Sequence, residues 1–393
     1  MNDNIEENHS EQIVDSFLRN LPPVDANGLS VYDKWWIKHF EYFKDHGYMM
    51  RPRYRPGWKP SYNPEKVFEK LDAEDGQEMI HGDVMDALRM SDSLVVALKL
   101  VKVSTGETRM ATFFSNDTNN HNPRNHCVRI LEVLPLPDED DKKILVMTWM
   151  RPIMDPRFRT IGEGVQFFKE MIEVVFYVFG LQYMHENNVA HRDCSINNVA
   201  MDANAMYNRT FHPINTKKRY DWSGKVLHHS RTRRPPRYYL IDFGQSRLYD
   251  PSRSRPHEYA LRSGGYMPPE GLEGTPCDPF ATDVFLLGNL IRTSFLDGDP
   301  ELFEPGVSGF EFLRPLVMDM IAEDPSKRPT MDEVSSRFSQ IVDRLSWWKL
   351  RSRAIKNSEY ILSKPFRATY HIFWTISMLV LLKPAIPCPK PLH

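Results

Sequence analysis

The sequence contains few cysteines and no long apolar run. Its four cysteines, Cys127, Cys194, Cys277 and Cys388, are too few and too scattered for a disulfide framework or a zinc cluster. Reduced thiols predict an intracellular protein of the cytoplasm or nucleus. Residues 1–20 are acidic and lack the apolar stretch of a secretory signal, so no such signal is expected.

A large excess of charge of either sign is also missing. The 50 Lys and Arg side chains nearly balance 52 Asp and Glu side chains, which leaves a net charge of -2. No global field therefore favours nucleic acid, and no specific nucleic-acid partner is predicted.

Two polar motifs follow apolar stretches within residues 183–244: His191-Arg192-Asp193 with Asn198 shortly after, and Asp242-Phe243-Gly244. Phosphoryl transfer needs one carboxylate that holds the nucleophilic hydroxyl, and a second carboxylate with an amide oxygen that hold Mg²⁺. Asp193, Asp242 and Asn198 supply these groups. The sequence therefore predicts a phosphoryl-transfer site in which Asn198 and Asp242 hold Mg²⁺.

The order of these motifs resembles the signature of eukaryotic protein kinases. The resemblance covers about residues 75 to 345. It implies an α+β, two-lobed fold with a β-rich small lobe and a mainly helical large lobe, and it implies ATP and Mg²⁺ as cofactors. It also implies that Asp193 orients the substrate hydroxyl or accepts its proton, and that His191 is structural and bonds the backbone near Phe243.

Three further stretches resemble a fungal family of protein-kinase-like proteins. They are Gly47 to Trp58 (GYMMRPRYRPGW), Pro123 to Cys127 (PRNHC) and Asp278 to Asp283 (DPFATD). This narrower resemblance implies a family-type arm at residues 28–74, packed on the small lobe. The expected order is a flexible lead-in at 1–27, the arm, a small lobe at 75–147, a large lobe at 148–345 and a tail at 346–393.

The apolar, β-rich run at residues 94–101 contains Val-Ala-Leu-Lys and is similar to the kinase strand whose lysine contacts the α- and β-phosphates. This assigns Lys99 to ATP, with Lys102 as a competing candidate. The Gly-x-Gly-x-x-Gly motif expected before this strand is missing, so Gly82 is the candidate for a close approach to the phosphates. Glu107 is the nearest candidate for the partner carboxylate on the next helix, although another register would put Arg109 there.

The next apolar strand, at residues 144–147, leads to an expected hinge at 148–150. Met147, Trp149 and Met150 are the predicted contacts of the adenine ring. A core helix is then predicted from apolar side chains at helical spacing: Phe168, Met171, Val174, Val175, Val178 and Leu181.

The catalytic loop departs from the Ser/Thr kinase pattern at Ser195, where a lysine usually stands. This weakens the Ser/Thr assignment, while Asp193 still supplies the catalytic carboxylate. Cys194 is expected to be a packed thiol. The long insert at residues 201–237 is rich in Lys and Arg. It is either a solvated loop or a surface for acidic substrates, phosphorylated partners or RNA.

The chain after Gly244 resembles an activation segment that ends at Glu270. Candidate phosphorylation sites that would pair with Arg192 are Tyr249, Ser252, Ser254 and Tyr259. Asp283 fits the aspartate that opens the central helix of the large lobe, and Arg328 fits the arginine that pairs with Glu270. This closing pair separates protein kinases from small-molecule phosphotransferases.

The tail contains an apolar run from Tyr370 to Leu382, between Arg367 and Lys383. This run is shorter than the roughly 20 residues that span a bilayer. The tail is either a docked segment or a membrane tether that lies in the interface.

The working hypothesis is transfer of the γ-phosphate of ATP to Ser or Thr hydroxyls of an unknown protein substrate. One alternative is a weak or inactive pseudokinase that acts as a scaffold, which the missing glycines and Ser195 favour. A phosphotransferase acting on small molecules is the other.

Overall fold

The computed structural model describes residues 23–79, 81–120, 122–172, 180–253, 256–299 and 304–390. The chain forms two compact units that divide between Lys99 and Leu100. The N-terminal part is rich in sheet and the C-terminal part is mainly helical, which confirms the predicted α+β class. The predicted lobe boundary at 147/148 stays a prediction, and most of the predicted lead-in, residues 1–22, lies outside the described residues.

The first unit combines short helices with an antiparallel sheet. Its elements are α1 (Val31–Lys38), α2 (Phe40–Asp45), β1 (Tyr48–Met50), α3 (Val67–Asp72), β2 (Val84–Arg89) and β3 (Leu94–Lys102), the last of which continues across the division. β1 pairs with β2 and β2 pairs with β3, so that Lys99 lies opposite Val84.

The predicted N-terminal arm is an integral part of the first unit. Ser30 and Asp33 form a capping box that starts α1. The buried guanidinium of Arg51 lies 2.9 Å from the buried carboxylate of Asp86 in β2. Trp58, at the end of the arm motif, donates its indole N–H to Asp75 at 3.0 Å. The contact of Arg51 with Asp86 ties the arm to the sheet.

The second unit holds the remaining elements. In chain order they are α4 (Glu107–Ser115), α5 (Asp117–Asn120), β4 (Ile130–Pro135), β5 (Lys142–Thr148), β6 (Arg151–Pro152), α6 (Ile161–Ile172), α7 (Leu181–Glu186), β7 (Val189–Ala190), β8 (Val199–Asp202), β9 (Arg237–Leu240), β10 (Arg247–Leu248), α8 (Pro269–Leu272), α9 (Pro279–Ile291), β11 (Gly298–Asp299), β12 (Glu304–Pro305), β13 (Val307–Ser308), α10 (Arg314–Met320), α11 (Met331–Asp343), α12 (Trp347–Arg351), β14 (Ile355–Lys356) and α13 (Lys364–Val380).

The core of the second unit forms around α6 and α9. Asp278 caps α9 by accepting the N–H of Phe280 at 2.9 Å, and Pro279 follows at the first helical position, which needs no N–H partner. Phe168 of α6 is buried against Phe295, just past α9, with ring centroids 4.7 Å apart. In the predicted core helix, Val174, Val175 and Val178 lie outside the described residues.

The tail packs on α6 through a close backbone approach. A Cβ added at Gly162 would lie 2.0 Å from the carbonyl oxygen of Ala385. Glycine is therefore required where this part of the tail crosses the helix. Within the described ranges, no helix is both long enough and apolar enough to cross a membrane.

We predict that Arg51→Met will lower the free energy of unfolding by about 3–5 kcal/mol, because it leaves Asp86 buried without its partner. Urea denaturation followed by tryptophan fluorescence measures the effect. Arg55→Met is the matched control, since Arg55 is exposed in the same arm, and its stability should change by about 0.5 kcal/mol or less. Equal losses in the two variants would contradict a stabilising role for the buried pair.

Candidate active site

The β8–β9 hairpin brings the two predicted metal ligands together. Asn198 directly precedes β8, and Asp242 follows β9 after one intervening residue. Val199 pairs with Leu240, and the N–H of Ile241 donates to the carbonyl oxygen of Asn198 at 2.9 Å. The two ligands therefore lie at the same end of one hairpin, although the long basic insert separates them in sequence.

Asp193 is held by its own loop and by a residue after the Asp-Phe-Gly motif. Its carbonyl oxygen accepts the side-chain N–H of Asn198 and the backbone N–H of Ser195, each at 2.9 Å. Its carboxylate Oδ2 accepts a hydrogen bond from Gln245 Nε2 at 3.3 Å. Its Oδ1 is buried and has no hydrogen-bond partner within the described part of the chain. One carboxylate oxygen is thus oriented by Gln245, and the other keeps an unused acceptor position among the described residues.

Asp283 holds the backbone of the catalytic loop by hydrogen bonds. Its carboxylate accepts the backbone N–H groups of Arg192 at 2.6 Å and His191 at 2.7 Å, and it lies 2.9 Å from His185 Nε2. Arg192 has a φ of 66°, a left-handed conformation that costs a non-glycine residue about 1–3 kcal/mol. Hydrogen bonds to a buried carboxylate are strong enough to offset this cost.

The Asp-Phe-Gly turn is held by local and loop contacts. Asp242 has a φ of 63°, and its Oδ1 accepts the N–H of Gly244 at 3.1 Å. Phe243 is buried, with its ring centroid 5.8 Å from that of His191. His191 Nε2 lies 3.1 Å from the carbonyl oxygen of Ile241. His191 therefore contacts the backbone beside Phe243, as the resemblance implies.

Helix α4 directs Glu107 toward this turn. Glu107 is buried, and its Oε2 lies 3.4 Å from the position that a Cβ on Gly244 would occupy. Phe114 of the same helix packs on Phe243, with centroids 5.9 Å apart. Arg109, the alternative from the other register, is exposed. The helix register therefore places Glu107, and not Arg109, beside the Asp-Phe-Gly motif.

The other predicted nucleotide contacts lie on separate elements. Met147 ends the apolar part of β5, and Trp149 and Met150 follow it; all three are partly buried against the core of the second unit. Lys99 lies near the end of β3. The assignment of these residues to ATP stays a prediction.

Gly82 has a packing role within the first unit. A Cβ at this position would lie 2.3 Å from Cγ of Tyr32, and the Gly82 carbonyl oxygen accepts the indole N–H of Trp36 at 2.9 Å. The absence of a side chain is thus required by the arm. The predicted contact of Gly82 with phosphate has no support from this packing and stays a prediction.

A carboxylate occupies the position beside Arg192 that the sequence analysis assigned to a phosphorylated residue. Glu258 lies 3.1 Å from the Arg192 guanidinium and 2.9 Å from that of Arg247. The backbone N–H of Glu258 donates to the carbonyl oxygen of Cys277, and the N–H of Cys277 donates to the carbonyl oxygen of Glu258. Of the four candidate phosphorylation sites, Ser254 lies outside the described residues. The activation segment is therefore held to the catalytic loop by the carboxylate of Glu258 and not by a phosphate group.

Ser195 packs directly against the activation segment. A Cβ added at Gly264 would lie 2.6 Å from Cβ of Ser195, and Gly264 has a φ of 52°. The Ser195 hydroxyl is buried and lacks a hydrogen-bond partner among the described residues. The small side chain at 195 and the glycine at 264 together allow this close approach.

The closing pair of the activation segment forms as predicted. Arg328 and Glu270 make a buried, two-pronged contact with N–O distances of 2.8 and 2.7 Å, and Thr282 donates to the same carboxylate at 3.0 Å. Burial acts to raise the pKa of Glu270, but the hydrogen bond and charge of Arg328 outweigh it, so that the pKa lies below its ordinary value. Glu270 is thus ionised at neutral pH.

Cys194, the predicted packed thiol, is buried and forms no disulfide. Burial raises the pKa of Cys194 well above its ordinary value, as expected for an inert thiol.

Arg231 in the insert is buried: it donates to the carbonyl oxygen of Ile153 at 2.7 Å and lies 4.1 Å from the ring centre of Phe158. The interpretation of this run as a solvated loop is therefore wrong for Arg231, because backbone oxygens and an aromatic ring replace water around it.

The residues at the hairpin end fit a magnesium ion. The side-chain nitrogen of Asn198 is committed to the carbonyl oxygen of Asp193, which leaves the amide oxygen for a cation. Together with the Asp242 carboxylate it forms the all-oxygen donor set that Mg²⁺ prefers.

A comparison with protein families matches residues 80–345 to the protein kinase domain. The chain belongs to the protein kinase family. Protein kinases typically use ATP and Mg²⁺, in agreement with the donor set at Asn198 and Asp242. The match begins after the N-terminal arm, and the narrower fungal resemblance stays a prediction. A comparison with curated proteins finds no match.

Several residues of this kinase site were not predicted from the sequence. Gln245 and Glu258 make the contacts described above, and Ser246 donates its hydroxyl to the carbonyl oxygen of His191 at 3.1 Å. The closeness of Gln245 to the Asp-Phe-Gly motif was a usable signal. The pairing of Glu258 with Arg192 joins distant segments, and no local pattern predicts it.

We predict that Glu258→Gln will loosen the activation segment, because it removes the charge that holds Arg192 and Arg247. Hydrogen bonds to charged groups contribute about 1.5–3 kcal/mol, so amide hydrogen exchange across residues 247–266 should accelerate at least about tenfold. The control is Glu273→Gln, since Glu273 is exposed beyond the end of α8. Unchanged exchange in the first variant would mean that other contacts hold the segment.

Proposed function

We propose that this protein kinase transfers the γ-phosphate of ATP to Ser or Thr hydroxyls of proteins. The observation that carries the proposal is the arrangement of Asp193, with one carboxylate oxygen oriented by Gln245 and the other buried without a partner among the described residues. Asn198 links this loop to the hairpin end where Asp242 stands. A carboxylate held in this way is suited to a substrate hydroxyl.

In the proposed reaction, the Asp193 carboxylate accepts the proton of the substrate hydroxyl. The hydroxyl oxygen forms a bond to the γ-phosphorus, the bond from that phosphorus to the oxygen bridging it to the β-phosphate breaks, and ADP leaves. Asn198 and Asp242 would hold Mg²⁺, which neutralises phosphate charge when it is bound. The resemblance assigns Lys99 to the α- and β-phosphates.

A scaffold without catalytic activity is the second candidate, and Ser195 favours it. The lysine usual at this position helps hold the γ-phosphate, whereas Ser195 is packed against Gly264. The missing glycine motif before β3 points in the same direction. Against the scaffold stands the buried support of the catalytic loop by Asp283, since an unused loop has no need of a strained Arg192.

Phosphorylation of a small molecule is disfavoured by the Glu270–Arg328 pair, which fixes the end of the activation segment. We also infer an intracellular location. The unbonded thiols of Cys127, Cys194 and Cys277 support it, because they are buried without disulfide partners.

The test is transfer of labelled γ-phosphate from Mg-ATP to the protein itself and to a mixed protein panel. We expect label from the wild type, and a loss of at least about 100-fold in Asp193→Asn and in Asp242→Asn, because each removes a charge that acts in transfer. Asp221→Asn, which changes an exposed aspartate of the insert, is the control and should keep full transfer.

Phosphoamino-acid analysis of the labelled panel distinguishes Ser and Thr from Tyr. Label on tyrosine alone would overturn the proposed specificity. A folded wild-type protein that binds Mg-ATP without transferring label, or fails to bind it, would overturn the proposed activity in favour of the scaffold.

A further inference from the structure

The tail helix α13 carries apolar side chains around most of its circumference. One face contacts the second unit: His371 Nε2 lies 2.9 Å from the carbonyl oxygen of Arg351, the guanidinium of Arg159 lies 4.9 Å from the ring centre of Trp374, and Met378 is buried. These three side chains recur at helical spacing, so this face is covered by the protein itself.

The opposite face is apolar and exposed. Its central residues, spaced by seven, three and four positions, lie on one side of the helix with exposed fractions of 79%, 68%, 51% and 77%: Phe366, Phe373, Ile376 and Val380. We call these four residues the outer face. Ile372 and Leu379 flank it and are also exposed. A helix with two opposite apolar faces is expected to bury both of them away from water.

The helix is held firmly while it presents this face. In its first turn, Arg367 lies 3.2 Å from the carboxylate of Glu359, which precedes the helix. After it, the Lys383 carbonyl oxygen accepts a hydrogen bond from Arg351, and the Lys390 carbonyl oxygen accepts one from Arg237 of β9 at 2.6 Å. The outer face is therefore a fixed feature of the second unit.

The charges of the tail indicate what kind of surface binds the outer face. From Tyr360 to His393 the sequence contains no Asp or Glu, whereas Lys364, Arg367, Lys383 and Lys390 supply cations. Between Ala368 and Leu382 it carries no Asp, Glu, Lys or Arg at all. Cations at both ends of an apolar face match a surface with negative headgroups above hydrocarbon. A helical protein partner would instead be specified by charged side chains that flank the apolar face, and here Ile372 and Leu379 stand in those positions.

We propose that the outer face of α13 inserts shallowly into an anionic membrane surface, with the helix axis parallel to the membrane. Phe366, Phe373, Ile376 and Val380 enter the boundary between headgroups and acyl chains. Lys364 and Lys383, at the two ends of the helix, add electrostatic attraction to the negative headgroups. This proposal is independent of the proposed activity, since it concerns only where the protein binds.

The experiment is co-sedimentation of the full chain with phosphatidylcholine vesicles that contain or lack phosphatidylserine. We expect partitioning onto the anionic vesicles, reduced by at least about tenfold in Phe373→Glu. Phe68→Glu is the matched control, because Phe68 is 84% exposed on α3 in the first unit, and it should bind like the wild type. Thermal melting of both variants shows that each is folded.

The paired variant Lys364→Gln with Lys383→Gln tests the charge. It should weaken binding to anionic vesicles by about tenfold or more, leave binding to neutral vesicles unchanged, and reduce the effect of added salt. Absence of wild-type binding to anionic vesicles, or equal binding of Phe373→Glu and Phe68→Glu, would overturn the proposal. A dimer in sedimentation velocity that Phe373→Glu abolishes, without vesicle binding, would assign the outer face to a second copy of the chain.

Discussion

The buried carboxylate of Asp283 is the contact on which the candidate active site depends. It accepts two successive backbone N–H groups, those of His191 and Arg192, at distances typical of strong charge-assisted hydrogen bonds. Without these bonds the left-handed conformation of Arg192 would lose its backbone support at the step that leads into Asp193. The position of Asp193, the proposed catalytic carboxylate, is thus supported by Asp283 of α9.

The same turn of α9 also fixes the end of the activation segment. Thr282, the neighbour of Asp283, donates to Glu270, and its hydroxyl lies 3.1 Å from the thiol of Cys277. The backbone of Cys277 pairs with that of Glu258, whose carboxylate returns to Arg192. Catalytic loop and activation segment are therefore joined by a closed ring of polar contacts that includes this turn of α9.

The parts of the site that belong to motifs with fixed residue spacing could be predicted from the sequence. Asp193, Asn198 and Asp242 belong to two local motifs, and the contact of Glu270 with Arg328 follows from paired landmarks. Gln245 stands directly after the Asp-Phe-Gly motif and could have been found from that position. Glu258 could not be predicted, because its pairing with Arg192 depends on how distant segments pack. Arg231 shows a second limit: a run of basic residues has the same composition whether each side chain meets water or, as here, backbone oxygens and an aromatic ring.

The close approach of the tail to Gly162 bears on where the catalytic domain ends. The family match stops at residue 345, yet Ala385 and Ile386 pack against the core, and the carbonyl oxygen of Ala385 touches α6 where only glycine leaves room. β9, which leads to Asp242, is tied at its first residue to the backbone of Lys390. Cutting the chain at residue 345 would therefore remove packing from α6 and a hydrogen bond from β9, so the limit of the family match does not mark the end of the packed unit.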